Sequence, residues 1–94
     1  PMDTITIDGT PFRAFAIPSQ HSTVLLILGS RGMLGCGYFS VETAERLDDA
    51  LAVVSGVKSC DDMLTATVKK VSPAAARLGV EPGMTGREAL LRMQ

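Results

Sequence analysis

Cys36, Cys60 and His21 are the chain's only cysteines and its only histidine, so thiol or imidazole chemistry must begin with them. Cys36 is the more suggestive of the two thiols. It follows Gly29, Gly32 and Gly35, precedes Gly37, and leads into Tyr38-Phe39-Ser40. Glycine tolerates close approach by another backbone or a ligand, so a thiol among glycines is where a small pocket could form. A cysteine nucleophile needs a base or a positive field to make thiolate. Nothing in the spacing ties His21 to Cys36. Two readings stay open: Cys36 as a small buried hydrophobe, or Cys36 as the catalytic or ligand-contacting thiol of a glycine-lined pocket.

The same glycines do not make a phosphate cradle. Gly35 and Gly37 are followed by Ser40 where the dinucleotide fingerprint requires a third glycine. No Lys-Ser/Thr pair of a P-loop is present. Glu42 stands in the first turn of the helix predicted next, where it repels a phosphate. Arg31, at the predicted hairpin tip Gly29–Gly32, is a candidate anion contact or an exposed turn residue. One histidine and two separated cysteines are not a zinc set, so no metal and no cofactor is expected. Asp61-Asp62 suits a helix first turn, and Asp48-Asp49 a solvated helix end.

The elements that position these residues are legible in part. Asp3–Asp8 alternates polar and apolar residues, as a half-buried strand does. Asp8-Gly9 then turns into a second strand, Phe12–Ile17, closed by Pro18. Val24–Leu28 is a continuous apolar run, read as a central strand. Met33–Phe39 reads as a fourth strand with Leu34, Cys36 and Tyr38 on one face. Ser40 is an N-cap, and Val41, Ala44, Leu47 and Leu51 form the apolar stripe of the helix that follows. Residues 50–55 fit either an extension of that helix or a strand. The β-branched Val53-Val54 and the poor helix formers Asp48-Asp49 favour a strand ending at Gly56. That makes a β-α-β crossover, expected to be right-handed. Ser59 and Asp62 frame a short helix to Leu64, and Thr65–Val71 alternates like a strand bearing Lys69-Lys70. Ser72-Pro73 opens a helix that Gly79 stops. Pro82-Gly83 is a turn, and Thr85 with Glu88 forms a capping box for a last helix through Met93.

Ninety-four residues make a single domain, 1–94, with Pro1 read as a remnant ahead of a natural start at Met2. The chain is 46% hydrophobic with a net charge of −1. That balance gives no basic excess for nucleic acid, and no apolar run is long enough to span a membrane. Two cysteines without a framework point to reduced thiols and a cytoplasmic location. So much apolar material in a small domain predicts self-association into a homo-oligomer.

Three segments carry a family resemblance: Gly35-Cys-Gly-Tyr-Phe-Ser-Val-Glu-Thr-Ala-Glu-Arg-Leu47, Ser55-Gly-Val-Lys-Ser-Cys-Asp-Asp-Met-Leu64, and Leu78-Gly-Val-Glu-Pro-Gly-Met-Thr-Gly-Arg-Glu-Ala-Leu90. In this order the chain resembles the YunC-like family of small bacterial and archaeal domains of unknown function, over about Val24 to Met93. One departure is Asp48-Asp49, where the resemblance implies Gly-Asp. The resemblance implies a compact two-layer domain and no established activity. Pattern and resemblance agree on an α+β two-layer sandwich, with a mixed, mostly antiparallel sheet, helices on one face and one β-α-β crossover. The expected ligand or interface residues are Arg31, Gly35, Gly37, Tyr38, Gly83, Thr85 and Arg87. The expected role is a self-associating binding module, possible ligands being small molecules; the alternative is a small enzyme or redox protein using Cys36.

Overall fold

The computed structural model describes residues 2–94. Six strands form one open sheet in sequence order: β1 Met2–Ile7, β2 Thr10–Pro18, β3 Thr23–Leu28, β4 Met33–Gly35, β5 Leu51–Val53 and β6 Lys70–Val71. β1 to β4 run antiparallel, β4 and β5 are parallel, and β5 and β6 are antiparallel again. The four helices are α1 Val41–Leu47, α2 Cys60–Thr65, α3 Pro73–Arg77 and α4 Gly86–Arg92. The α+β class, the mixed and mostly antiparallel sheet and the single β4-α1-β5 crossover are as expected, and residues 50–55 contain the strand β5.

Side-chain alternation along β5 sorts the helices between the two faces. Ala52 joins the main core with Phe12, Leu25, Ile27, Leu34, Met63 of α2, Ala75 of α3 and Leu90 of α4. Leu51 and Val53 point the other way and pack with Ala44 of α1, Met33 and Phe39. The crossover helix therefore lies on the opposite face from α2, α3 and α4, so the helices do not all share one face as expected, because Leu51 and Val53 need cover on the side away from Ala52. The parallel pair is covered on both sides, as parallel strands usually are.

Local chemistry sets the helix starts. Ser40, Ser59, Ser72 and Thr85 each cap a helix through the side-chain oxygen. Thr85 and Glu88 complete the expected capping box. Only half of one forms at α2, because Asp62 Oδ2 accepts from the Lys58 N–H rather than from Ser59. Ser72 also ties distant segments. Fully buried, its hydroxyl donates to the Asp49 carbonyl at 2.7 Å and accepts the Leu51 N–H at 2.9 Å.

Three expectations about element ends are corrected as well. The fourth strand stops at Gly35 rather than Phe39, because the Phe39 N–H turns back to the Cys36 carbonyl at 3.1 Å. Helix α1 stops at Leu47, capped by Asp48 in the left-handed region (φ 57°). Leu51 is thus a strand residue, and Leu47 is exposed instead of completing a buried stripe. The strand expected over Thr65–Val71 shrinks to β6, since Thr65 ends α2 and Thr67 makes only an isolated bridge to Thr85. Lys69 and Lys70 lie at the β6 edge of the sheet, where lysine discourages further strand pairing.

Candidate functional site

The β4–α1 loop and the β5–α2 loop leave the same end of the sheet side by side. Between them lies a hollow of about 360 Å³, lined by Cys36, Gly37 and Tyr38 from the first loop, Ser55, Gly56 and Val57 from the second, and Ser22 and Thr23 at the start of β3. Cys36 sits at its base, only 4% exposed. Its Sγ accepts the Leu25 N–H at 3.3 Å, and its own N–H donates to the Leu25 carbonyl at 3.1 Å. Tyr38 lies past the end of the strand and is exposed, so it does not share the buried face of Leu34 and Cys36. Its hydroxyl donates to Ser19 Oγ at 3.2 Å. His21 is exposed and does not line the hollow.

The glycine run divides by what fills the space beside it. A Cβ on Gly35 would lie 2.6 Å from the Phe39 ring, which occupies the space beside that glycine. On Gly32 a Cβ would lie 2.6 Å from the sulfur of Met93, so this hairpin glycine admits the end of α4. Beside Gly37, which lines the hollow, there is nothing within 4 Å.

The other candidates lie elsewhere. Arg31 donates through Nε to the Gln94 carbonyl at 2.9 Å and through Nη2 to the Arg92 carbonyl at 3.1 Å. It caps the end of α4, which leaves less of its guanidinium for an anion. Gly83 adopts φ 98° in the turn before α4, Thr85 caps that helix, and Arg87 pairs with Asp8. None of these lines the Cys36 hollow. The convergence of the Gly83–Arg87 segment with Cys36 and Tyr38 that a single site would need is therefore absent. Ser22, Thr23, Ser55, Gly56 and Val57 were not anticipated. The Gly56-Val57-Lys58 motif marked the segment, but only the parallel pairing of β4 with β5 brings it beside Cys36.

Charge near the hollow is mixed: Glu42 stands at the start of α1, and Lys58 follows Val57 on the second loop. Glu42, in the first turn of α1, is held below the usual carboxylate range by its own backbone N–H, then by the Ser40 hydroxyl and the charge of Lys70. Cys60, at the start of α2, is pushed up by burial and then by Asp61 and Asp3. Its thiol donates to the Phe15 carbonyl at 3.6 Å. Among the described residues no three His, Cys, Asp or Glu side chains gather as a metal site.

The model of a domain of unknown function, DUF1805, matches residues 35–93, from the last residue of β4 to the end of α4. The chain belongs to this family. The uncharacterized protein YunC of Bacillus subtilis is 34% identical over 93 residues, covering 95% of this chain and 92% of that protein. The crystal structure of a protein of unknown function, TA1206 from Thermoplasma acidophilum, superposes with a TM-score of 0.94 at 34% identity. It covers all of this chain and 92% of that one. The family match takes in both loops of the hollow and leaves out the β1–β3 meander. No described helix of this DUF1805 chain is long and apolar enough to cross a membrane.

Proposed function

We propose that this DUF1805 domain is a self-associating interaction module, with a second copy of the chain seated on the face of β1–β3 that no helix covers. The carrying observation is that face. Helix α1 packs over β4 and β5 only. By register, the same side of the neighbouring strands presents Met2 beside Phe15, Phe15 beside Leu26, and Ile17 beside Val24, with Leu28 beside Met33. Met2 and Ile17 are exposed, and Phe15, Val24, Leu26 and Leu28 are only partly buried. A contiguous apolar face of this kind on a small domain marks an interaction surface.

Charge complementarity favours a second copy as the occupant. Arg13 stands on this face opposite Leu28 and has no ion pair among the described residues. Glu42 and Glu45 of α1 have none either. A two-fold arrangement, which repeats one patch on both subunits, lays α1 of each copy over the open strands of the other. It covers the exposed Leu47 and supplies carboxylates to Arg13. Sedimentation of the whole chain at micromolar concentration should give a dimer, and Leu26→Asp should give a folded monomer. A strict monomer in the unsubstituted chain overturns this reading.

A further inference from the structure

We propose that the crevice at the carboxyl ends of β4 and β5 binds a neutral, hydroxyl-bearing small molecule of about the size of a sugar or nucleoside ring. Topology points there first. The chain leaving β4 passes to α1 on one face of the sheet, and the chain leaving β5 passes to α2 on the other. Where two adjacent parallel strands send their connections to opposite faces, the loops part and leave a crevice, and open α/β sheets bind ligands at that position. The hollow of about 360 Å³ occupies this place, near the lower end of the roughly 300–1,000 Å³ of small-molecule pockets.

The glycines give a second, independent reason. Gly29, Gly32, Gly35 and Gly86 are each filled by another part of the chain, whereas nothing lies within 4 Å of a Cβ placed on Gly37 or Gly56. Gly56 needs its positive φ of 73°, but Gly37 does not lie in the left-handed region. Neither packing nor backbone geometry within the subunit accounts for a glycine at 37. Gly37 is exposed and lines the crevice, where a larger side chain would take up space that the subunit leaves empty.

The lining defines the ligand's chemistry. Ser22, Thr23 and Ser55 bring hydroxyls, Cys36 and Val57 an apolar floor, and Tyr38 an exposed ring held by its bond to Ser19. No charged side chain lines the hollow. The helices that start beside it carry Glu42, Asp61 and Asp62 in their first turns, and Ser40 and Ser59 already accept an amide at each start. An anion would meet these three carboxylates and capped amides there, against a single cation, Lys58, on the two loops. A neutral ring can exchange hydrogen bonds with the hydroxyls and stack on Tyr38.

The proposal does not depend on self-association, since the crevice is at the strand ends and the dimer face is on the flat of the sheet. The test is an amide-resolved NMR titration of the whole chain with glucose and with adenosine, each beside its phosphate ester. At least one neutral compound should shift the amides of Gly37, Tyr38, Ser55 and Gly56 saturably, and which one does so separates a sugar from a nucleoside. Its phosphate ester should bind at least about fivefold more weakly, through like-charge repulsion. Gly37→Val should abolish the shifts without changing Tm, and Tyr38→Ala should weaken binding by about threefold to tenfold, the worth of one aromatic contact. The proposal is overturned if neither neutral compound gives saturable shifts at these amides, if the esters bind as tightly, or if both variants bind like the unsubstituted chain.

Discussion

Ser72→Ala tests the physical account of how the crossover is anchored. Ser72 Oγ makes three hydrogen bonds: it donates to the Asp49 carbonyl at 2.7 Å and accepts the N–H groups of Leu51 at 2.9 Å and Ala75 at 3.3 Å. Its own N–H donates to the Leu51 carbonyl at 2.9 Å, so Ser72 clasps the first residue of β5 from both sides. Alanine retains that backbone bond and loses the other three. The Leu51 N–H, left buried without a partner, costs about 1–3 kcal/mol. The lost cap of α3 costs about 1 kcal/mol more. The sum is about 2–4 kcal/mol, or a fall in Tm of at least about 8 °C for a domain of this size. Ser59→Ala is the internal control, because it removes a cap of the same kind at an exposed position and should cost only about 1 kcal/mol. Urea unfolding of both variants, followed by far-UV circular dichroism, measures the difference. If Ser72→Ala costs no more than Ser59→Ala, the buried clasp adds nothing beyond a cap and the reasoning fails.

Gly86→Ala should destabilise by about 2–4 kcal/mol, although alanine is the better helix former by about 1 kcal/mol. Its Cβ would collide with the Met63 carbonyl and lie 2.9 Å from Leu34 Cδ2, and a neutral or stabilising result in denaturant unfolding would show that α2 and α4 can move apart. Alkylation of the native protein near neutral pH should label Cys60 before Cys36, since Cys36 is 4% exposed and Cys60 is partly open. Cys60 itself should react more slowly than a free thiol because burial, then Asp61 and Asp3, raise it, and Asp61→Asn should speed it; faster labelling of Cys36 would revive the nucleophile reading. Cys60's preference for the protonated form stabilises the fold below the ordinary thiol range near about 8.5, and that contribution is lost as pH rises through the raised value. Glu88 is held low by the Thr85 N–H and then the Thr85 hydroxyl, so its contribution is present above the ordinary carboxylate value and lost as pH falls through the lowered one. The Tm difference between the parent and Glu88→Gln should accordingly narrow between neutral and acid pH.

Much of the scaffold was legible because its signals are local. Ser40, Ser59, Ser72 and Thr85 start helices through contacts a few residues away, and Asp8-Gly9 takes positive φ at both positions as a tight hairpin requires. Element ends were less legible. β4 ends early because a turn closes at Cys36, and α1 ends early because Asp48 enters the left-handed region that the resemblance led one to expect of glycine. The candidate site was half visible. Cys36, Gly37 and Tyr38 stood out by composition, but Ser55, Gly56 and Val57 join them only across the sheet.

By itself the sequence determined an α+β fold with a glycine-rich stretch around Cys36, because turns, caps and alternation act over a few residues. Only the tertiary structure decided what each glycine is for. Phe39 fills the space at Gly35 and Met93 that at Gly32, while Gly37 lines a crevice with nothing beside it. It also decided that α1 and α2 part to opposite faces, which creates that crevice, and that β1–β3 keep an apolar face uncovered. Both outcomes depend on which side of the sheet each connection crosses. That choice is made by packing between residues far apart in the chain, and no local pattern encodes it.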